Sequence, residues 1–281
     1  MVLVLTASCS KPESAERSVS EAVSVDASGS SIATSASSRP TLRPAQPPPL
    51  PPLRAESTTI KLPLEGLGPA TVEVPVGATE PRPVVVAVHG HSVRPEHACE
   101  NWRLASGGDA FVLCPFGLPA DAKPDQIVTV GSEAYTLREI DAGLAALRSR
   151  FGNHVAPGPV VYAGYSLGAR RGVGIVAQHG DRFRRVALGE GGYEELRRPA
   201  LEAFVRGGVE RLLLVCSSKA CEMTFARVKK QCDQVGLPCQ IAPSGENPHL
   251  FAGKVVESTR AHWPWLVAGA WRENGSSDHE R

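Results

Sequence analysis

The chain has 281 residues, 42% of them hydrophobic, and its 30 Lys and Arg balance 29 Asp and Glu to a formal charge of +1. A surface that close to neutral argues against nucleic acid as a partner, because phosphate backbones are met by a strongly basic face. The apolar content is enough for a packed domain, while 24 Pro, 27 Gly and only 5% aromatic residues indicate that part of the chain does not pack.

The Pro and Ser surplus is local. Ser recurs through positions 8–38, and seven of the thirteen residues in 40–52 are Pro. Residues 10–57 therefore read as a disordered Ser/Pro-rich linker, unable to bury a core. Residues 1–9 are mostly apolar but too short to span a bilayer. They lack the basic start and long apolar centre of a secretory signal, so they are expected to be the remnant of one. Ala7 and Ser8 before Cys9 resemble a lipobox, with Thr6 where Leu is usual, which makes Cys9 a candidate for lipidation. The alternatives are cleavage with release, or a fortuitous apolar start. With an acylated Cys9 the linker would hold a domain off a membrane in an extracytoplasmic setting, at the bacterial envelope or as a secreted protein. The remainder divides into an α/β domain over 58–272 and a flexible tail over 273–281.

Six further cysteines, Cys99, Cys114, Cys216, Cys221, Cys232 and Cys239, form an even set in a chain expected to be exported, which suggests disulfides. Fifteen pairings are open in principle. Cys99 with Cys114, Cys216 with Cys221 and Cys232 with Cys239 are favoured, since each closes a short loop between neighbouring elements. Zinc is disfavoured because no CxxC pair has a matching second pair.

In chain order, the alternation over 58–76, broken by Gly66, Gly68 and Pro69, reads as an edge β-hairpin. The apolar run 83–88 suits a parallel strand buried on both faces, and it ends in His89-Gly90-His91. A helix over 96–104 and a strand over 110–114 follow, then a long connection over 115–135. Apolar residues at helical spacing mark 136–151. Strands over 159–163, 185–188, 211–216 and 239–242 alternate with helices over 167–178, 200–206 and 222–235. A last helix over 254–271 is expected to be interrupted at Pro264. This alternation predicts a mostly parallel central sheet with helices on both faces.

Gly164-Tyr165-Ser166-Leu167-Gly168 is a GxSxG centred on a strand-to-helix junction. A turn that sharp strains Ser166, exposes its hydroxyl above the sheet and needs small residues on both sides. The helix starting at Leu167 aims its first N–H where an oxyanion would form. Ser166 is thus the candidate nucleophile. Here the chain resembles the α/β-hydrolase superfamily, in particular compact esterases and dienelactone-hydrolase-like enzymes, over roughly 83–266. By that likeness, His89-Gly90-His91 matches the turn supplying the second oxyanion donor, the N–H of His91. The loop with His249 matches the one carrying the general base, and an acyl-transfer serine needs such an imidazole. A metal pair is the weaker reading of His89 and His91.

The chain departs from the pattern at the acid. The family's Asp follows the strand that here is 211–216, yet Ser217-Ser218-Lys219-Ala220-Cys221 has no carboxylate before Glu222. Some members carry the acid one strand earlier, where Glu190 stands. Glu190 is the favoured acid and Glu222 the alternative, whose bland reading is a carboxylate in a helix first turn. Gly172-Val173-Gly174-Ile175-Val176-Ala177 fits a dinucleotide pattern but lies inside a helix and is better read as close packing. The pairs Arg170-Arg171, Arg184-Arg185 and Arg197-Arg198 read as solvated faces more than as an anion site.

Only about twenty residues separate the strands over 185–188 and 211–216, so no large cap domain is expected. An open site with Trp102, Phe116, Tyr165, Tyr193 and Phe251 as walls would suit a soluble small-molecule or polymeric ester better than an enclosed lipid chain. The expected activity is a serine hydrolase, carboxylesterase-like, with no cofactor and no metal. A peptidase or amidase on the same residues, or a tethered binding protein that has lost hydrolysis, are the alternatives.

Overall fold

The computed structural model describes residues 48–245 and 249–270. Eight strands form one sheet in the order β1-β2-β4-β3-β5-β6-β7-β8. β1 (Thr59–Leu62) and β2 (Ala70–Glu73) make the expected hairpin, and β2 also runs antiparallel to β4 (Phe111–Cys114). From β4 onward, β3 (Val84–Val88), β5 (Val161–Tyr165), β6 (Arg185–Gly189), β7 (Arg211–Cys216) and β8 (Cys239–Pro243) pair in parallel.

A central parallel strand must be apolar on both faces, and β3 shows why. Val84, Val86 and Val88 point into one core while Val85 and Ala87 point into the other. The first core lies under α2 (Glu133–Phe151), α3 (Leu167–Gln178), α4 (Arg198–Gly207) and α5 (Lys219–Val235). The second lies under α1 (Pro95–Ala105) and α6 (Lys254–Val267), where Trp102 and Trp263 pack with ring centroids 6.2 Å apart. The link from β6 to β7 holds only α4, so there is no large cap. No helix among the described residues is long and apolar enough to cross a membrane.

Three expectations are corrected. Residues 48–57, assigned above to the linker, are held against the domain. Leu53 is buried and exchanges main-chain hydrogen bonds with Ala78 and Gly77, Leu50 donates to Thr79, and the His154 ring meets Pro51 O. Composition misses this because Pro-rich backbone still has carbonyls and the occasional N–H to pair. Helix α6 continues through Pro264 to Val267, because buried Trp263, Leu266 and Val267 bind its last turn to the sheet and outweigh one missing donor. Cys99–Cys114 and Cys216–Cys221 are disulfides, but Cys232 and Cys239 are free buried thiols. Cys232 on α5 and burial both push the Cys239 thiol up, so the two thiols are neighbours where α5 meets β8. The readings placed on Cys9, on 1–9 and on 273–281 fall outside the described residues.

Candidate active site

Ser166 sits between the end of β5 and the start of α3 with φ 55° and ψ −118°. A side chain rarely tolerates that region, and the surroundings explain how it is held. The Ser166 N–H donates to Gly189 O at 2.7 Å. Tyr162 on β5 donates its hydroxyl to Gly168 O at 2.9 Å, bracing the first turn of α3. A Cβ on Gly164 would come within 2.7 Å of the Gly168 backbone, and one on Gly168 would overlap Val88 O. The two glycines are therefore required by the closeness of α3 to the sheet. Gly90 lies beside the serine, where a Cβ would stand 3.1 Å from Ser166 Cβ.

His249, on the connection between β8 and α6, places Nε2 2.8 Å from Ser166 Oγ. Its other nitrogen, Nδ1, faces Glu190 Oε2 at 3.6 Å, an ion-pair separation. Glu190 follows β6 directly, as the sequence places it. Its Oε1 accepts from the Ser217 N–H (2.7 Å), the Ser217 hydroxyl (2.6 Å), the Ser218 N–H (3.0 Å) and the Ser218 hydroxyl (3.2 Å). Its Oε2 accepts from the Tyr193 hydroxyl at 2.9 Å. Burial alone would raise this carboxyl, but the hydroxyls of Ser217 and Tyr193 and the Ser217 N–H outweigh it and hold Glu190 below the usual carboxylate range.

Four non-glycine residues among those described have positive φ: Ser92, Ser166, Glu190 and His249. Three are the serine, carboxylate and imidazole just brought together, and Ser92 follows His91. Such conformations cost on the order of 1–3 kcal/mol each and persist where the fold over-determines them, which is typical of functional sites. The N–H of Leu167 opens α3, where helix donors have no intrahelical partner. Neither it nor the N–H of His91 has an acceptor among the described residues.

Glu222, the alternative acid, is not at the imidazole. Its carboxylate pairs with Lys219 at 2.6 Å in the first turn of α5. The expected walls are largely not walls. Trp102, Phe116, Tyr165 and Phe251 are all buried, with the Tyr165 ring 5.7 Å from the His249 imidazole and 5.2 Å from Phe251. Tyr193 serves the acid. Large aromatic rings gain most by full burial, so proximity to the site did not leave them exposed. The exposed apolar side chains on the neighbouring loops are instead Val93, Ile127 and Leu250.

Ser217 and Ser218 were missed as site residues. The signal was present in the form of a misplaced acid: where the usual carboxylate is absent after β7, the chain has two hydroxyl residues able to receive one from β6. The helical Gly172 packs on the Tyr162 ring and Gly174 on the Glu133 carboxylate, which agrees with close packing. The arginine pairs meet carboxylates: Arg170 with Glu195, Arg184 and Arg185 with Glu210, and Arg198 with Glu202.

The parallel sheet, the elbow after β5, and the carboxylate and imidazole at the ends of β6 and β8 decide the architecture. The chain has the α/β-hydrolase fold. Solved structures agree at the level of fold. A candidate dienelactone hydrolase from Klebsiella pneumoniae subsp. pneumoniae MGH 78578 is 14% identical with a TM-score of 0.56, covering 75% of this chain and 97% of its own. Est1E from Butyrivibrio proteoclasticus is 14% identical with a TM-score of 0.53, covering 75% and 98%. An S-formylglutathione hydrolase from Agrobacterium tumefaciens is 17% identical with a TM-score of 0.52, covering 74% and 93%. No protein-family model and no curated protein matches the chain.

Proposed function

We propose that the protein is a serine hydrolase that cleaves esters through an acyl-enzyme on Ser166. The observation that carries this reading is the line from Ser166 Oγ through His249 to Glu190 on a strained strand-to-helix turn. In the proposed cycle, His249 Nε2 takes the Ser166 proton as Oγ attacks the ester carbonyl. The Leu167 and His91 N–H groups receive the oxyanion, each such donor being worth about 100 to 1000-fold in rate. His249 then protonates the departing alcohol, and water reverses the roles to free the acid. Glu190, held ionised by its serine donors, orients the imidazole and balances its charge. The fold neighbours include a candidate dienelactone hydrolase and an S-formylglutathione hydrolase, which agrees with hydrolysis as the class of chemistry.

A fluorophosphonate probe tests this reading. It should label the wild-type protein at Ser166 and fail to label Ser166→Ala, with p-nitrophenyl ester turnover lost in parallel. Labelling that survives in Ser166→Ala overturns the assignment. Two disulfides support an extracytoplasmic setting. Acylation of Cys9 is the matching proposal for attachment, and mass spectrometry of the protein expressed with an upstream export signal should find a lipidated Cys9.

A further inference from the structure

Behind the proposed oxyanion turn lies a buried polar assembly that the reaction above does not use. Glu139 on α2 is 1% exposed and His89 at the end of β3 is 2% exposed. Burying a carboxylate in a core is costly unless it is hydrogen-bonded, so its partners indicate what it does. Glu139 Oε1 accepts from the Gly117 N–H at 2.8 Å. The carbonyl of that same peptide unit, Phe116 O, lies 3.0 Å from His89 Nε2. The other ring nitrogen, Nδ1, lies 2.7 Å from Gly90 O. Gly90 O in turn shares its peptide plane with the N–H of His91. In a trans peptide the C=O and N–H point in opposite directions, so a ring set against Gly90 O also fixes the direction of the His91 N–H.

A second set of contacts converges on the same turn. Leu118 and Thr129 exchange main-chain hydrogen bonds at 2.8 and 2.9 Å, and Thr129 Oγ1 is 3.0 Å from His91 Nδ1. A Cβ on Gly117 would overlap Thr129 O and stand 3.1 Å from His89 Nε2, so the 116–117 peptide is packed directly on the ring.

We propose that Glu139 is a positioning residue for the oxyanion site, acting on the His91 N–H through the Phe116–Gly117 peptide, the His89 ring and the Gly90–His91 peptide. A carboxylate bonded to the Gly117 N–H fixes that peptide and with it Phe116 O, which lies against the His89 ring; a neutral imidazole donates from one nitrogen only, so one carbonyl accepts from the ring and the other is packed against it. Burial pushes Glu139 up to about 7 and pushes His89 down, and the nearby charges are Arg138 for the first and Glu96 and Arg94 for the second. The inference rests on the serine-hydrolase reading for its catalytic consequence.

The test uses the full chain with Glu139→Leu, which removes the acceptor at similar volume, and Glu139→Gln, which keeps an acceptor oxygen. Glu139→Leu should lower kcat on p-nitrophenyl butyrate about 10 to 100-fold, less than outright loss of a donor, with KM within twofold. The affinity of a trifluoromethyl ketone, which forms the tetrahedral oxyanion, should fall in step. Glu139→Gln should restore kcat to within about threefold of wild type. A folded Glu139→Leu protein with wild-type kcat and ketone affinity overturns the proposal, as does an equal loss in both variants. Should Glu139→Leu fail to fold, nitrogen-15 NMR of Glu139→Gln carries the test. The Gly117 amide and His89 ring resonances must both move, and unchanged resonances overturn the proposal. An inactive wild type would strike the serine-hydrolase reading, whereas the resonance measurement judges the Glu139–His89 link without any turnover.

Discussion

Glu190 divides its two oxygens between different tasks. Oε1 is saturated by four donors from Ser217 and Ser218, and only Oε2 is left for Tyr193 and His249. In Glu190→Gln the donor-rich side must keep the oxygen, so the new NH2 would be forced toward the His249 Nδ1, where it cannot accept. That substitution should lower kcat by roughly 100 to 10,000-fold, the scale seen when a triad acid is replaced by its amide. Glu222→Gln, which alters only a first-turn pair with Lys219, should leave kcat within twofold, and steady-state ester hydrolysis checks both. Glu139 bears on stability as well. Its folded pKa, raised by burial to about 7 from an ordinary 4.5, means that the folded state binds the proton more tightly than the unfolded state. Its contribution is therefore fully present below about 4.5 and is lost as pH rises through about 7, an effect of roughly 3 kcal/mol. Denaturant titrations from pH 4.5 to 8 should show that decline in the wild type and a flatter profile in Glu139→Gln.

At the scale of elements, the junction of β7 and α5 is where the fold protects the acid. The Cys216–Cys221 disulfide brackets Ser217 and Ser218, so the cradle of Glu190 is covalently closed. Replacing both cysteines by Ser should loosen the cradle and lower kcat by about tenfold or more, since small misplacements of catalytic groups are costly. Global stability should change less than in the other disulfide variant. That other bridge, Cys99–Cys114, ties α1 to β4 across 15 residues, and its removal should cost about 3 kcal/mol by loop-closure entropy. Paired thermal melts and kinetics separate the two effects. The strands and helices of this region were legible because burial leaves a periodic mark on the sequence. The state of Cys232 and Cys239 was not, because two cysteines on adjacent elements can be buried side by side as free thiols as readily as they can form a bond.

For the whole molecule, the α/β domain begins earlier than composition indicates. A chain starting at Pro48 should keep wild-type ester hydrolysis and melting temperature, whereas one starting at Ser57 loses buried Leu53 and its hydrogen bonds to Ala78 and Gly77 and should melt several degrees lower. Calorimetry of the two truncations checks this. The sequence alone was sufficient for the parallel sheet, the order of its strands and helices, the strained serine after β5 and the imidazole after β8. The first three are recorded locally, in an apolar run, a helical period or a glycine-flanked turn, whereas the imidazole was placed by the resemblance of its loop to that of α/β-hydrolases. It was sufficient to favour Glu190 but not to exclude Glu222. Only the tertiary structure decided which carboxylate faces the imidazole, which serines hold it, and which aromatic rings lie in the core instead of lining the site. Those depend on how loops far apart in the chain come together at one edge of the sheet, and the free energy of that meeting leaves no periodic trace in any one segment.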